Sequence, residues 1–178
     1  MNKEHIRIKE TTINDIPLIH KLYLDVSKTK GGLARIDNEI TVAYVTSFVK
    51  KSIQNGVQYI AVDNRRDNKI VAEIHCYKLA PKVFEHILSE LTIVVDPEYQ
   101  GVGIGKKIFQ TLLSHVEETR KDILRVELVA RESNTRAIQL YKNLGFEVEG
   151  KFLRRIRNKE NHFEADIPMA WFNPGFQI

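Results

Sequence analysis

A mixed α/β fold is encoded by this chain, and three features of the sequence say so. Two alternating apolar stretches, VQYIAVDN from Val57 and KIVAEIHCYKL from Lys69, read as neighbouring strands joined by the turn-like RRDN. Ile104, Ile108, Phe109, Leu112, Leu113 and Val116 form a stripe of helical spacing, the clearest amphipathic pattern in the chain. Strand and helix signals interleave in the order β-α-α-β-β-β-α-β-α-β-β, which is not strict βαβ winding.

Taken in order, residues 5–11 (HIRIKET) alternate like a first strand. Asp15 is placed to cap a helix whose first turn holds Pro17, with Ile16, Ile19, Leu22, Tyr23 and Val26 on one face. Residues 28–38 (KTKGGLARIDN) read as a loop, and Asn38 to about Asn55 as a second helix. After the two strands already named, a third from about Ile87 to Val95 ends at Asp96-Pro97. The amphipathic helix follows, then LRVELVA (124–130) as a buried strand. NTRAIQLYKNLG (134–145) reads as a short helix stopped by Gly145. The last two segments, FEVEGKFLRRIRN and HFEADIPMAWF, read as a long hairpin.

The 178 residues are most simply one domain, 1–178, long enough to bury a full core. No run approaches the roughly 18 to 20 apolar residues of a membrane span. The amino terminus, MNKEHIRIKETT, has no apolar signal core, so a cytoplasmic protein without a membrane partner is expected. A lone cysteine, Cys76, excludes an internal disulfide and a cysteine-rich zinc cage, and no metal site is expected. The net charge of +4 (27 Lys and Arg against 23 Asp and Glu) suits an anionic ligand. Its basic residues are not interleaved with aromatics in a groove-like stripe, which argues against nucleic acid.

The segment ELTIVVDPEYQGVGIGKKIF, Glu90 to Phe109, carries the chemistry. A nucleotide P-loop needs GxxxxGK and then Ser or Thr; here three residues separate Gly101 from Gly105, and Lys107 stands where the hydroxyl belongs. A dinucleotide fingerprint is only weakly matched, because Lys106 takes the last glycine's place and the strand comes late in the chain. What does fit is Gln-x-x-Gly-x-Gly, met by Gln100, Gly101, Val102, Gly103, Ile104 and Gly105. Glycines let successive backbone N–H groups turn inward, and the helix starting near Ile104 aims unpaired N–H groups and its positive dipole end at an anion. Lys106 and Lys107 add charge in that turn, so a pyrophosphate would sit there without metal. The competing reading is a glycine-rich turn with no ligand.

At this point the chain resembles the GNAT superfamily of acetyl-CoA-dependent N-acetyltransferases. The glycine loop matches the superfamily's pyrophosphate cradle. Asn134…Ala137-x-x-Leu140-Tyr141-x-x-x-Gly145-Phe146 matches its second signature. The resemblance covers nearly the whole chain. It implies a central mixed, mostly antiparallel sheet of about seven strands flanked by about four helices. It also implies acetyl-CoA as acyl donor, with Ile93, Val94 and Val95 along the pantetheine arm and Gln100 to Lys106 on the pyrophosphate. Asn134 and Tyr141 are seven residues apart, nearly two helical turns, so they share a face with a rise of roughly 10 Å. One could meet the pantetheine and the other the sulfur end; alternatively Asn134 caps the helix and Tyr141 is core. By the same resemblance Tyr141 is the general acid that protonates the departing thiolate, and Glu90 the base that deprotonates the amine. Alternation puts Glu90 on the face of Thr92 and Val94, where partial burial would raise its carboxyl towards neutrality; alternatively Glu90 pairs with a neighbouring Arg or Lys or stays at the surface. Glu73 is a second candidate for the base. Cys76 lies in an alternating strand and reads as a packing residue.

The acceptor should be met by loops outside these motifs. Gly31-Gly32 gives the 28–38 loop flexibility, and Arg35 could recognise a carboxylate or phosphate. In the carboxy-terminal hairpin Lys151, Arg154, Arg155, Arg157 and Lys159 face only Glu160 nearby, a run that as part of the site would repel a polyamine. His162 could border the same pocket. A small-molecule amine or an amino acid is the expected acceptor. A protein amino terminus or lysine is the alternative, and a non-catalytic acyl-CoA sensor is the reading from another class. Met169, Trp171 and Phe172 of the last strand would pack either against a second copy, giving a homodimer, or in the core.

Overall fold

A computed structural model describes residues 5–29, 33, 35–157 and 161–177. Its elements are β1 (Ile6–Glu10), α1 (Ile16–Ser27), α2 (Val42–Asn55), β2 (Gly56–Asp63), β3 (Lys69–Lys78), β4 (Ile87–Val95) and α3 (Ile104–Thr119). They continue with β5 (Arg125–Arg131), α4 (Thr135–Asn143), β6 (Glu147–Val148), β7 (Phe152–Arg157) and β8 (Phe163–Phe172). Packing divides the chain into two compact units, one of Met1–Tyr77 and Thr92–His115, the other of Lys78–Leu91 and Val116–Ile178. Strand β4 contributes to both.

In the first unit the hydrogen-bonded order is β1-β2-β3-β4. Strands β1 and β2 are antiparallel, as are β2 and β3, with Gln58 opposite His75 and Ile60 opposite Glu73. Helices α1 and α2 cover one face of this sheet. Ile16, Ile19, Leu22, Tyr23 and Val26 of α1 are all buried, as their spacing predicts, against Val45, Phe48 and Val49 of α2 and Ile60, Val62, Ile70 and Val94 of the sheet. Each such side chain contributes on the order of 1.5–3 kcal/mol by leaving water.

Two helix starts differ from the sequence reading. Asp15 does not cap α1 through its side chain: Oδ2 accepts from Thr12 N and Thr12 Oγ1, both at 2.8 Å, and Oδ1 pairs with Lys9 at 2.9 Å. A short 3₁₀ turn over Ile13–Asp15 intervenes and takes the carboxylate for its own closure. Helix α2 begins at Val42 rather than Asn38, because Thr41 Oγ1 caps it by accepting from Tyr44 N at 3.1 Å. Thr41→Ala should therefore lower stability by about 1 kcal/mol, read as a shift in urea midpoint at constant slope.

In the second unit the order is β4-β5-β8-β6, with β7 also on β8. Strands β4 and β5 are parallel, registered through Ile87 with Arg125 and Leu88 with Val126. The pairings of β8 with β5, β6 and β7 are antiparallel. The described residues thus hold eight strands where the sequence predicts seven. The extra one, β6, is cut from the first arm of the expected hairpin and pairs Glu147 with Ala170. Met169 and Trp171 are 0% and 8% exposed within the chain, so they serve its core, while Phe172 is half exposed. Gly31 and Gly32 of the expected flexible loop, and Lys159 and Glu160 of the hairpin tip, lie outside the described residues.

Candidate active site

Strand β4 ends where Asp96 turns the chain. Its Oδ1 accepts from Glu98 N at 2.9 Å, its Oδ2 pairs with Lys69 at 2.7 Å, and its backbone N–H donates to Val71 O at 2.9 Å. Tyr99, buried, donates its hydroxyl to buried Asp63 at 2.7 Å. Burial and the Asp63 carboxylate push that hydroxyl up to about 12. Burial alone would raise Asp63, but the Tyr99 hydroxyl, the Arg65 amide and the charges of His5 and Arg66 hold it below the usual carboxylate range. This pair fastens the chain immediately before the glycine loop. A carboxylate whose pKa is lowered by folding contributes stability above its unfolded value, and the contribution is lost as pH falls through the folded one. Tyr99→Phe should cost roughly 1–2 kcal/mol and move acid unfolding to higher pH, measured by circular dichroism between pH 2 and 6.

The loop then turns through two left-handed glycines. Gly101 and Gly103 have φ of 79° and 87°, the left-handed region that favours glycine. Lys107 N donates to Gly103 O at 3.1 Å, so α3 opens directly from the loop, with exposed Lys106 and Lys107 in its first turn. Val102 is half-buried and Ile104 buried. Gly105 faces Val95 and Ile93 of β4: a Cβ there would lie 3.4 Å and 3.9 Å from them, ordinary contact distances, so packing alone does not require glycine at this position. Gln100 turns its side chain inward to the chain, donating to Val95 O at 3.1 Å. Val94 is buried in the core under α1 and α2, which leaves only its backbone for a ligand.

In the second unit, Asn134 caps α4: its Oδ1 accepts from Ala137 N at 3.2 Å, leaving the side-chain amide nitrogen for another partner. Tyr141 sits where the helix is stopped. Phe146 N donates to Tyr141 O and Gly145 N to Lys142 O, both at 3.0 Å, around Gly145 at φ 90°. These are the two bonds of a Schellman closure, and the Tyr141 and Phe146 rings pack at 6.1 Å beside it. The tyrosine is buried, and burial pushes its hydroxyl up to about 12.

Glu90 departs from expectation. It is exposed, not partly buried, and its φ of 57° takes it out of the regular pleat of β4. Buried Leu88, Leu91 and Val94 are then spaced by three rather than two, so the face predicted by alternation does not carry past Glu90.

Glu73, by contrast, is fully buried: Tyr23 Oη donates to it at 2.6 Å and Gln58 Nε2 at 2.8 Å, and His75 Nδ1 lies 3.0 Å from its Oε1. Burial, and next the Glu73 charge, push the Tyr23 hydroxyl well above its ordinary value. Sequence reasoning did not find this network. Its signal was three polar residues, Gln58, Glu73 and His75, inside strands otherwise buried along nearly their whole length. Cys76 of the same strand is buried.

Arg35 lies in the first unit with its guanidinium 4.1 Å above the Tyr44 ring, and no carboxylate among the described residues pairs with it. The hairpin cations differ from the sequence reading. Lys151 pairs with Glu132, and Arg155 pairs with Asp166 at 3.5 Å, so carboxylates from β8 and the loop after β5 offset a charge run that looks bare in sequence. Residues 93–106 and Arg35 therefore belong to the first unit, and Glu90, Asn134 and Tyr141 to the second. Among the described residues no His, Cys, Asp and Glu gather as a metal site, and no helix is long and apolar enough to cross a membrane.

Comparison with known proteins places the fold and the family. The Bacillus subtilis spermine/spermidine N(1)-acetyltransferase is 40% identical over 57 residues, 32% of this chain and 37% of its own length. The [ribosomal protein bS18]-alanine N-acetyltransferase of Escherichia coli is 38% identical over 63 residues, 34% of this chain and 41% of its own. The matched stretch thus spans about two fifths of each relative. A GNAT-family acetyltransferase from Streptococcus pneumoniae shares the fold, with a TM-score of 0.83 at 20% identity over 94% of this chain and 99% of that one. So does a Salmonella typhimurium protein solved with its cofactor acetyl-CoA, with a TM-score of 0.79 at 14% identity over 95% and 94%. The family model for the acetyltransferase (GNAT) family matches residues 33–146, from before α2 to the end of the α4 closure, and the chain belongs to that family.

Proposed function

We propose that this chain is an N-acetyltransferase that moves the acetyl group of acetyl-CoA onto a primary amine of a small molecule or amino acid, by direct attack in a ternary complex. The observation that carries the reading is the left-handed pair Gly101 and Gly103 opening straight into α3, with Lys106 and Lys107 in its first turn. Such a loop offers backbone N–H groups, a helix dipole and two cations to a pyrophosphate. Ile93 and Val95 would flank the pantetheine arm, Val94 would bond it through its backbone, and Asn134 would reach it through its amide nitrogen. The donor supplies a thioester carbonyl that an amine can attack.

The balance assigns the protein's work. An alkylammonium loses one proton to expose its lone pair; a C–N bond forms, the C–S bond breaks, and the nitrogen sheds a second proton. One proton ends on the thiol and one in solvent. Tyr141 faces the sulfur in this scheme. With its hydroxyl pushed up to about 12, complete transfer of its proton to a thiolate of ordinary pKa near 8.5 is uphill by about 5 kcal/mol. Tyr141 therefore works by donating a strong hydrogen bond to the sulfur as charge develops, keeping its own proton while the thiol takes its proton from the amine. Glu90, exposed on its left-handed residue, takes the first amine proton directly or through water. Arg35 borders the acceptor.

A second reading, acetylation of a protein amino terminus, is favoured by the likeness to the Escherichia coli ribosomal-protein enzyme. Release of free thiol from acetyl-CoA across pooled amines, amino acids, aminosugars and short peptides tests both. Turnover on a small-molecule pool supports the first reading, and turnover on peptides alone the second. Binding without turnover on any pool would leave an acyl-CoA sensor.

A further inference from the structure

Between α1 and α2 the chain fixes a cation in place without spending its charge. The Arg35 guanidinium lies 4.1 Å from the centre of the Tyr44 ring. That ring is itself held, edge-on to Tyr23 at 6.3 Å and to Phe48 at 5.3 Å. Tyr44 stands in the first turn of α2, whose start is set by Thr41 Oγ1 accepting from Tyr44 N at 3.1 Å. An exposed arginine ordinarily samples many rotamers, and an aromatic face beneath its guanidinium favours one placement over the rest. Stacking uses the flat face of the group and leaves its in-plane N–H donors for a partner.

No described carboxylate of the chain takes up those donors. Of the acids nearest in sequence, Asp25 pairs with Lys28 at 3.5 Å, and Glu39 accepts from Ile36 N at 3.0 Å to close its own 3₁₀ turn. Asp37 is exposed and forms no ion pair with Arg35, and residues 30–34 include no acid. Leu33 and Tyr44 pack against the apolar cluster that includes Val94 of β4. The segment carrying Arg35 thus belongs to the layer over the strand assigned to the pantetheine arm, in the same compact unit as residues 93–106. One guanidinium matches one carboxylate in charge and in planar, two-point geometry. A phosphate dianion would ask for a second cation. The next on these rings, Lys51, lies over Tyr77, with the rings of Phe48 and His75 in between.

We infer that Arg35, laid on Tyr44, binds the carboxylate of the acceptor and makes amino acids the amines this protein selects. The inference rests on the acetyltransferase reading and narrows it, from primary amines at large to those that bear a carboxylate. A polyamine would bring only cations towards the guanidinium, and like charges brought together at a binding site repel.

The test measures thiol release from acetyl-CoA by the wild type on two pools, the standard amino acids and the same compounds as their α-carboxamides. The carboxamide keeps size and shape and removes the charge. The best amino acid should exceed its own carboxamide about tenfold or more in kcat/KM. Arg35→Gln should raise the KM of that amino acid about tenfold or more, with its kcat, the KM of the carboxamide and acetyl-CoA affinity little changed. A merely structural part for Arg35 would move these together. Lys51→Gln, which removes the other stacked cation, should leave the amino acid's KM unaltered; an equal loss there would make the effect one of bulk charge and overturn the inference. Equal or better use of the carboxamide, or a folded Arg35→Gln with unaltered KM, would overturn it and leave the acetyltransferase reading standing. Acetyl-CoA binding without turnover on either pool would overturn it too. If Arg35→Gln does not fold, the wild-type ratio decides. Absence of acetyl-CoA binding by the wild type would remove the broader reading and this inference together.

Discussion

Tyr141→Phe is expected to lower kcat about a hundredfold while leaving affinity for acetyl-CoA unchanged. The hydroxyl is the only group removed. Its ring is fixed by the closure around Gly145 and by contact with Phe146, so the phenylalanine keeps the packing. What is lost is a hydrogen bond to a sulfur that becomes charged only as the C–S bond breaks. Bonds to charged groups are worth about 1.5–3 kcal/mol, which corresponds to between about ten- and a hundred-and-fifty-fold in rate. Because the bond strengthens in the transition state, the loss belongs in kcat. With the hydroxyl pushed up to about 12, wild-type activity should show no alkaline limb from this residue below about pH 10. Steady-state rates with a calorimetric Kd for each protein check both statements. An unchanged kcat would remove Tyr141 from the mechanism.

Gly103→Val should weaken acetyl-CoA binding at least tenfold, the largest effect expected on affinity. Gly103 sits at φ 87°, where a β-branched residue is strained by on the order of 1–2 kcal/mol. The chain will relieve that strain by turning the loop, and the N–H groups will no longer converge. Gly103 is exposed, so the fold should survive and the melting temperature change little. Gly103→Asn is the companion variant, since asparagine adopts left-handed backbone at small cost. Whatever affinity it loses measures the space the loop needs, apart from its conformation. Wild-type affinity in Gly103→Val would mean that the loop is a turn and not a cradle.

The glycine loop was legible because its physics is local: three glycines, a following helix and two lysines are all within eight residues. The buried face of α1 was legible for a similar reason, since a period of 3.6 is written in the sequence itself. The face of Glu90 was not legible, because one left-handed residue inside a strand leaves no mark on composition; the apolar run continues on both sides, and only the backbone decides for the surface. Asp15 looked like a cap because it precedes Pro17, but a threonine three residues back and Lys9 compete for the same carboxylate. Strand β6 is two residues long and exists by pairing with β8, more than twenty residues later. The Glu73 network reaches furthest: Tyr23 comes from fifty residues upstream and Gln58 from fifteen, and only His75 is a near neighbour in sequence. Features set by neighbours in sequence were readable, and those set by partners across the fold were not.

The central claim is that the loop between β4 and α3 holds acetyl-CoA. Titrating the wild-type protein with acetyl-CoA in a calorimeter, beside Gly103→Val, tests it most directly. Saturable one-to-one binding in the micromolar range, weakened at least tenfold in the variant, is the predicted result. No binding by the wild type up to millimolar acetyl-CoA would contradict the account.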